Sequence, residues 1–236
     1  MRVGLLTGGG DCPGLNAVIR AVVRKVYNHG GACLGFFEGW RGLIEDHSRP
    51  LLPAETDGII GVGGTVLGSS RKNPFRNPAD VGRCLETFRR HDLQALVAIG
   101  GEDTLGVAHK LWGKERFPVV GVPKTIDNDL DGTLFTFGFD TAVSVATEAI
   151  GRLHTTAEAH RRVMVVEVMG RDAGWIALHA GIAGGADVIL IPEIPFDIGA
   201  VCEKIRERET AGRGFSIVVV AEGATPRNGE RAIRAR

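Results

Sequence analysis

Some stretches of this 236-residue chain carry side chains that chemistry would use. In VPKTIDNDLDGT, residues 122–133, Asp127, Asn128, Asp129 and Asp131 crowd a loop that opens with Lys124. Carboxylates that repel one another are poor packing material, so an Asx-rich turn or a charged ligand must account for them. The EF-hand pattern half fits, with Asp127, Asp129, Asp131 and Gly132 in place, but its closing glutamate would fall on Gly138. Carboxylates beside a lysine suit magnesium-assisted phosphoryl transfer instead. There a cation offsets phosphate charge and an aspartate accepts the proton of the acceptor hydroxyl.

Two other stretches, TGGGDCPGLNAVIR at 7–20 and GGTVLGSSRKNPFR at 63–76, are glycine loops. The first runs from an apolar segment into a helical pattern, where amides and the helix dipole favour an anion. The second closes with Arg71, Lys72 and Arg76, whose cations suit phosphate oxygens as well as they suit a solvated loop. GGEDT at 100–104 ends another apolar run in a glycine turn, yet places Glu102 and Asp103 at its mouth. In HRRVMVVEVMGRDAGW, residues 160–175, basic residues flank both ends of one strand pattern. The Rossmann spacing G-x-G-x-x-G is not met, and G-x-x-x-x-G-K-[ST] is absent. The remaining histidines have no metal-ligand spacing.

Short apolar runs at 3–6, 32–37, 58–63, 95–100 and 118–123 predict strands, with an amphipathic helix over Leu15 to Tyr27. The rhythm restarts after Phe139. Helices are expected near 140–158, 173–183 and 198–210, and strands at 163–168, 187–191 and 215–220. This pattern predicts α/β layering on mainly parallel sheets.

Lys plus Arg and Asp plus Glu both number 28, so no net field draws the chain to nucleic acid or an anionic membrane. No apolar run approaches a membrane span of roughly 18 residues. Four separated cysteines without a C-x-x-C pair, and an N-terminus without signal-peptide character, point to a reduced, cytoplasmic protein.

TGGGDCPGLNA, GGEDT, PKTIDND, VVEVMGRDAGW and AEGA, in this order and at about this spacing, resemble the phosphofructokinase family. The resemblance implies two Rossmann-like three-layer α/β/α domains with mainly parallel sheets and the active site between them. Residues 1–138 would form a larger donor- and metal-binding domain, and 139–236 a smaller sugar-phosphate domain. It also implies Mg²⁺, fructose 6-phosphate as acceptor, and a homodimer or homotetramer. Asp127 resembles the base, Thr125 a sugar contact, and Glu102 and Asp129 the metal-side acids. Gly10, Arg71, Lys72 and Thr104 stand with the donor. Arg162, Met169, Gly170, Arg171 and Glu222 match the sugar-phosphate side, with Lys124 and Arg171 countering charge in catalysis. Asp103 and Lys124 resemble the pyrophosphate-dependent branch, because Asp103 would repel the α-phosphate of ATP. The alternatives are an ATP-dependent member and a non-catalytic phosphate-binding fragment. No glycine-histidine-glutamine-arginine segment follows Glu222, so the resemblance implies a C-terminally shortened chain.

Overall fold

A computed structural model describes residues 1–229, and their contacts gather into two compact units. The first comprises Met1–Thr125 with Leu130–Gly138; the second takes Ile126–Asp129 and the chain from Phe139 onward. A single boundary at residue 138 does not describe that exchange of four residues.

In the first unit, β1 (Arg2–Gly8) leads to α1 (Leu15–Asn28), β2 (Ala32–Phe36), α2 (Trp40–Glu45), β3 (Ser48–Leu51) and the single turn α3 (Pro53–Thr56). After a long loop come α4 (Pro78–Arg90), β4 (Ala95–Gly100), α5 (Glu102–Glu115), β5 (Val119–Thr125) and β6 (Phe137–Gly138). The six strands lie in the order β3-β2-β1-β4-β5-β6 and are parallel except for β3, which runs antiparallel to β2. β1 is apolar on both faces and buried from Val3 to Gly8, as a central parallel strand must be when helices cover both sides. One core packs Leu6, Phe36, Trp40, Leu96, Leu111 and Phe117.

Helix boundaries follow local chemistry. Asn77 caps α4 by accepting from the Ala79 N–H at 3.2 Å, Pro78 occupies the first turn, and Arg89 and Arg90 sit in the last. The ends of α2 and α4 are joined by Asp46, which contacts His91 Nε2 at 2.5 Å and Arg90 Nη1 at 2.7 Å. Burial raises the Asp46 carboxyl, but the bonds and charges of His91 and Arg90 outweigh it and hold the pKa below its ordinary 3.8.

The apolar run at 58–63 is not a strand. Asp57–Ile59 form a 3-10 turn, and Ile60 and Val62 are 60% and 54% exposed. Three glycines within six residues deny this run a continuous side-chain surface to bury, so its hydrophobicity misleads.

In the second unit, α6 (Phe139–His160), β7 (Val163–Val168), α7 (Trp175–Ala183), β8 (Val188–Leu190), α8 (Ile198–Thr210) and β9 (Ser216–Ala221) alternate. The strands form a parallel sheet in the order β7-β9-β8. Ile217, Val219 and Ala221 of β9 meet Ile150 and Ala157 of α6 and Ala177 and Ala180 of α7 in its core. α8 contributes no buried residue; Asp197 caps it, and Arg208 joins it to Asp187 at 2.8 Å.

Candidate active site

Strand order in the first sheet reverses between β1 and β4. Loops leaving the carboxyl ends of these neighbours turn to opposite faces and leave a crevice, the usual ligand position in an open α/β sheet. Gly8 pairs with Gly100, so the loop Gly8–Gly10 lies beside Gly100–Glu102. The two glycine tracts far apart in sequence thus arrive at one place.

Thr104 explains how they fit so closely. It is 3% exposed, and a Cβ added at Gly8 or Gly100 would come within 2.5 Å of its side chain. The Thr104 side chain therefore seats the start of α5 on two strands. Glu102 and Asp103, just before it, are exposed, and their side chains make no hydrogen bond or ion pair among the described residues. Their position in the first turn of α5 is favourable for acids. A cleft of about 440 Å³ runs beside Glu102, with Leu105, His109, Pro123, Leu130 and Asp131 on its walls.

The β1–α1 loop is tied on one side to residues 62–70. Thr7 Oγ1 donates to the Gly68 carbonyl at 2.7 Å, and Ser69 donates to the Gly9 carbonyl. The Gly9 N–H is taken by the Ser70 carbonyl at 3.2 Å. Asn16, 1% exposed, donates to Val62 O at 2.9 Å and accepts from Val66 N–H at 2.8 Å. With Gly9 consumed, the exposed Gly10 N–H is left without a partner among the described residues.

Lys124 is the centre of this arrangement. It ends near the carboxyl edge of β5, is 5% exposed, and donates from Nζ to the Gly10 carbonyl. Among the described residues no carboxylate pairs with it. A buried ammonium with one carbonyl partner retains unused donors and an uncompensated charge, which an anion would satisfy. Cys12 lies close enough to feel this charge. Burial nevertheless dominates and pushes its thiol up to about 11, with Lys124 opposing and Asp11 adding to the rise.

Arg71 is exposed and unpaired among the described residues, whereas Lys72 is not free: its Nζ lies 3.0 Å from Asp80 Oδ2. Thr125 ends β5 and its carbonyl accepts from Thr136 Oγ1 at 2.7 Å.

In the second unit, Asp127 is half-buried, Asn128 adopts a left-handed backbone at φ 54°, and Asp129 is exposed. The loop after β7 carries Met169, Gly170 and Arg171. Glu222, at the end of β9, accepts the N–H groups of Gly170 and Arg171 at 3.2 and 2.8 Å, and Glu193 accepts that of Gly174 at 2.8 Å. Glu222 thus shapes the loop with one oxygen, and its other oxygen makes no hydrogen bond among the described residues. Gly223 permits this closure, since a Cβ there would lie 1.9 Å from the Arg171 carbonyl. Arg162 precedes β7 and so stands at the opposite end of six residues, roughly 20 Å from the 169–171 loop. Arg162 and Arg171 of one chain do not meet at one phosphate.

Sequence reading missed Ser69, Ser70, Asn16 and Glu193. Asn16 carried a signal, since a poor helix former at the second position of a helix has a reason to be there.

The family model described as Phosphofructokinase matches residues 2–235. A pyrophosphate--fructose 6-phosphate 1-phosphotransferase of Streptomyces coelicolor is 59% identical over 235 residues, 99% of this chain and 68% of its own length. An ATP-dependent 6-phosphofructokinase of Corynebacterium efficiens is 53% identical over 236 residues, again covering 99% of this chain and 68% of its own. Among solved structures, a pyrophosphate-dependent phosphofructokinase from Marinobacter aquaeolei superposes with a TM-score of 0.85 at 28% identity, over 96% of this chain and 62% of that one.

Proposed function

Given that the chain belongs to the phosphofructokinase family, we propose that it transfers a phosphoryl group from pyrophosphate to the 1-hydroxyl of fructose 6-phosphate. The observation that carries this reading is Lys124, a buried ammonium with one carbonyl partner beside the open Gly10 amide. A phosphate donor suits that position, and the choice of pyrophosphate over ATP rests chiefly on Asp103.

Asp127 takes the proton of the sugar hydroxyl as its oxygen bonds to the transferring phosphorus. The bond from that phosphorus to the bridging oxygen breaks, and inorganic phosphate leaves. Gly10 N–H and Lys124 face the charge that builds on the donor side, where fixed donors contribute most. Arg71 adds an exposed guanidinium, while Thr125, Met169, Gly170, Arg171 and Glu222 receive the acceptor. Arg162, at the far end of β7, serves a sugar phosphate held by another copy in a homodimer or homotetramer.

Glu102 and Asp129 are the residues assigned to hold Mg²⁺. Each carboxylate is exposed and makes no bond among the described residues, among which no cluster of three or more His, Cys, Asp or Glu could cage a metal. An exposed carboxylate of either kind fits an ion which takes one or two carboxylates and fills its other positions with water and phosphate. When bound, Mg²⁺ would neutralise phosphate charge. Asp103 stands beside Glu102 and selects against ATP: at about 4 Å, two like unit charges cost on the order of 4 kcal/mol at an effective dielectric near 20. The site of action would be the cytoplasm; no helix of the described residues is long and apolar enough to cross a membrane.

The test is fructose 1,6-bisphosphate formation by the purified chain with Mg²⁺, supplied with pyrophosphate or ATP at equal concentration. Product with pyrophosphate alone supports the reading. Preference for ATP would refute the role given to Asp103, and no product with either would leave a phosphate-binding chain without turnover.

A further inference from the structure

Lys72 and Arg71 are adjacent cations in one loop, but the structure treats them differently. Arg71 is exposed, with no partner among the described residues. Lys72 Nζ instead approaches Asp80 Oδ2 at 3.0 Å. Asp80 is 1% exposed and fixed in the first turn of α4. Its other oxygen is 3.4 Å from Asn77 Nδ2 and 3.5 Å from Arg83 Nη1, whose own side chain is largely exposed. Among the described residues Lys72 is the only counter-charge at Oδ2, and it approaches outside good hydrogen-bond geometry, as an ion pair. A buried carboxylate so placed does not release its ammonium readily.

The residues just before Arg71 are held too. Ser69 donates to the Gly9 carbonyl, and Ser70 Oγ donates to the Glu38 carbonyl at 2.5 Å. Arg71 therefore projects from a short span fastened at both ends, upstream to the β1–α1 loop and downstream to α4.

We infer that Asp80 is a positioning residue for donor binding: it anchors Lys72, and so presents the Arg71 guanidinium at the phosphate loop. Lys72 is then a tether and not a phosphate ligand. The inference rests on the reading of this loop as the donor side. It differs from a direct role for Lys72 in the sign of one effect. If Lys72 met the donor itself, removing the Asp80 charge would free the ammonium and improve binding. If Lys72 is a tether, the same change loosens Arg71 and impairs it.

The experiment compares the unmodified chain with Asp80→Asn, Lys72→Met, their double variant and Lys72→Arg. Pyrophosphate binding is measured by titration calorimetry with Mg²⁺, alongside KM and kcat for both substrates and thermal unfolding. Each of the first two variants is expected to weaken pyrophosphate binding about ten-fold, a loss of orientation and not of charge at the donor. KM for fructose 6-phosphate and kcat should stay within about two-fold, the double variant should be no worse than either single one, and Lys72→Arg should restore binding. Tighter or unchanged pyrophosphate binding in Asp80→Asn would overturn the inference, as would losses that follow unfolding and affect both substrates alike. Should Asp80→Asn fail to fold, unchanged binding in Lys72→Met overturns it equally. If the unmodified chain takes ATP and not pyrophosphate, the donor assignment fails while the same ranking, read with ATP, still judges the tether. If it binds neither, both fall.

Discussion

Replacing Lys124 with methionine separates the role of its charge from the role of its bulk. The side chain is 5% exposed and its ammonium bonds the Gly10 carbonyl, so methionine keeps most of the volume and removes one charge-assisted hydrogen bond. That bond contributes about 1.5–3 kcal/mol. Against this loss, the variant no longer buries an ammonium without a carboxylate partner, a cost of similar size. The two nearly cancel, and since 1 kcal/mol shifts Tm by about 2–4 °C in a protein of this size, the melting temperature should move by no more than about 6 °C. Function should respond otherwise. Losing one fixed donor at the developing charge costs about 100- to 1,000-fold in kcat. Pyrophosphate at about 100 times its Kd should stabilise the unmodified protein by about 2.7 kcal/mol, raising Tm by about 5–11 °C. Differential scanning fluorimetry with and without Mg²⁺-pyrophosphate reads this without turnover, and the variant should show almost no rise. A variant that keeps the full ligand-induced rise, or more than a tenth of the rate, would refute the assignment of Lys124 to the donor.

Asp103→Gly should improve kcat/KM for ATP by about 10- to 100-fold, less than the unscreened Coulomb figure because Asp103 is exposed; donor competition assays would show no change if Asp103 plays no part. Gly223→Ala should destabilise the second unit by about 3 kcal/mol or more and raise KM for fructose 6-phosphate, because the new Cβ would strike the Arg171 carbonyl. Denaturant melts and kinetics together check it. The Asp46 carboxyl is held below its ordinary 3.8, so its stabilisation is complete above that value and lost as pH falls through the lower folded value. Asp46→Asn should flatten the acid limb of a Tm–pH profile, whereas an unchanged limb would remove Asp46 from the account.

Most strands could be read from sequence because a parallel strand buried on both faces must be a continuous apolar run, as β1, β2, β4 and β9 are, while β5, β7 and β8 are apolar runs that stay partly exposed. The same rule misassigned 58–63, whose glycines leave little to bury, and passed over β3, a short antiparallel edge with two exposed residues. The residue types of the site were also visible, since Asp127, Glu102 and the glycine loops are odd choices for packing. What could not be read was which polar groups are already spent. Lys72 and Arg71 are equal cations on paper, and only a carboxylate eight residues beyond Lys72, buried by the fold of α4, tells them apart. Glu222 likewise owes one oxygen to backbone amides at residues 170 and 171, a pairing that exists only once β7 and β9 lie side by side.

The exchange of Ile126–Asp129 between units sets an order for biosynthesis. A ribosome would release residues 1–138, which hold the first unit described above, before the sheet of the second unit has been translated. The four residues that group with that later sheet, Asp127 among them, would wait as an unplaced loop within the first unit. Nascent chains could then acquire a folded donor loop before the proposed base is set. In such chains Asp127 would reach its place only once β7, β8 and β9 have joined the second unit.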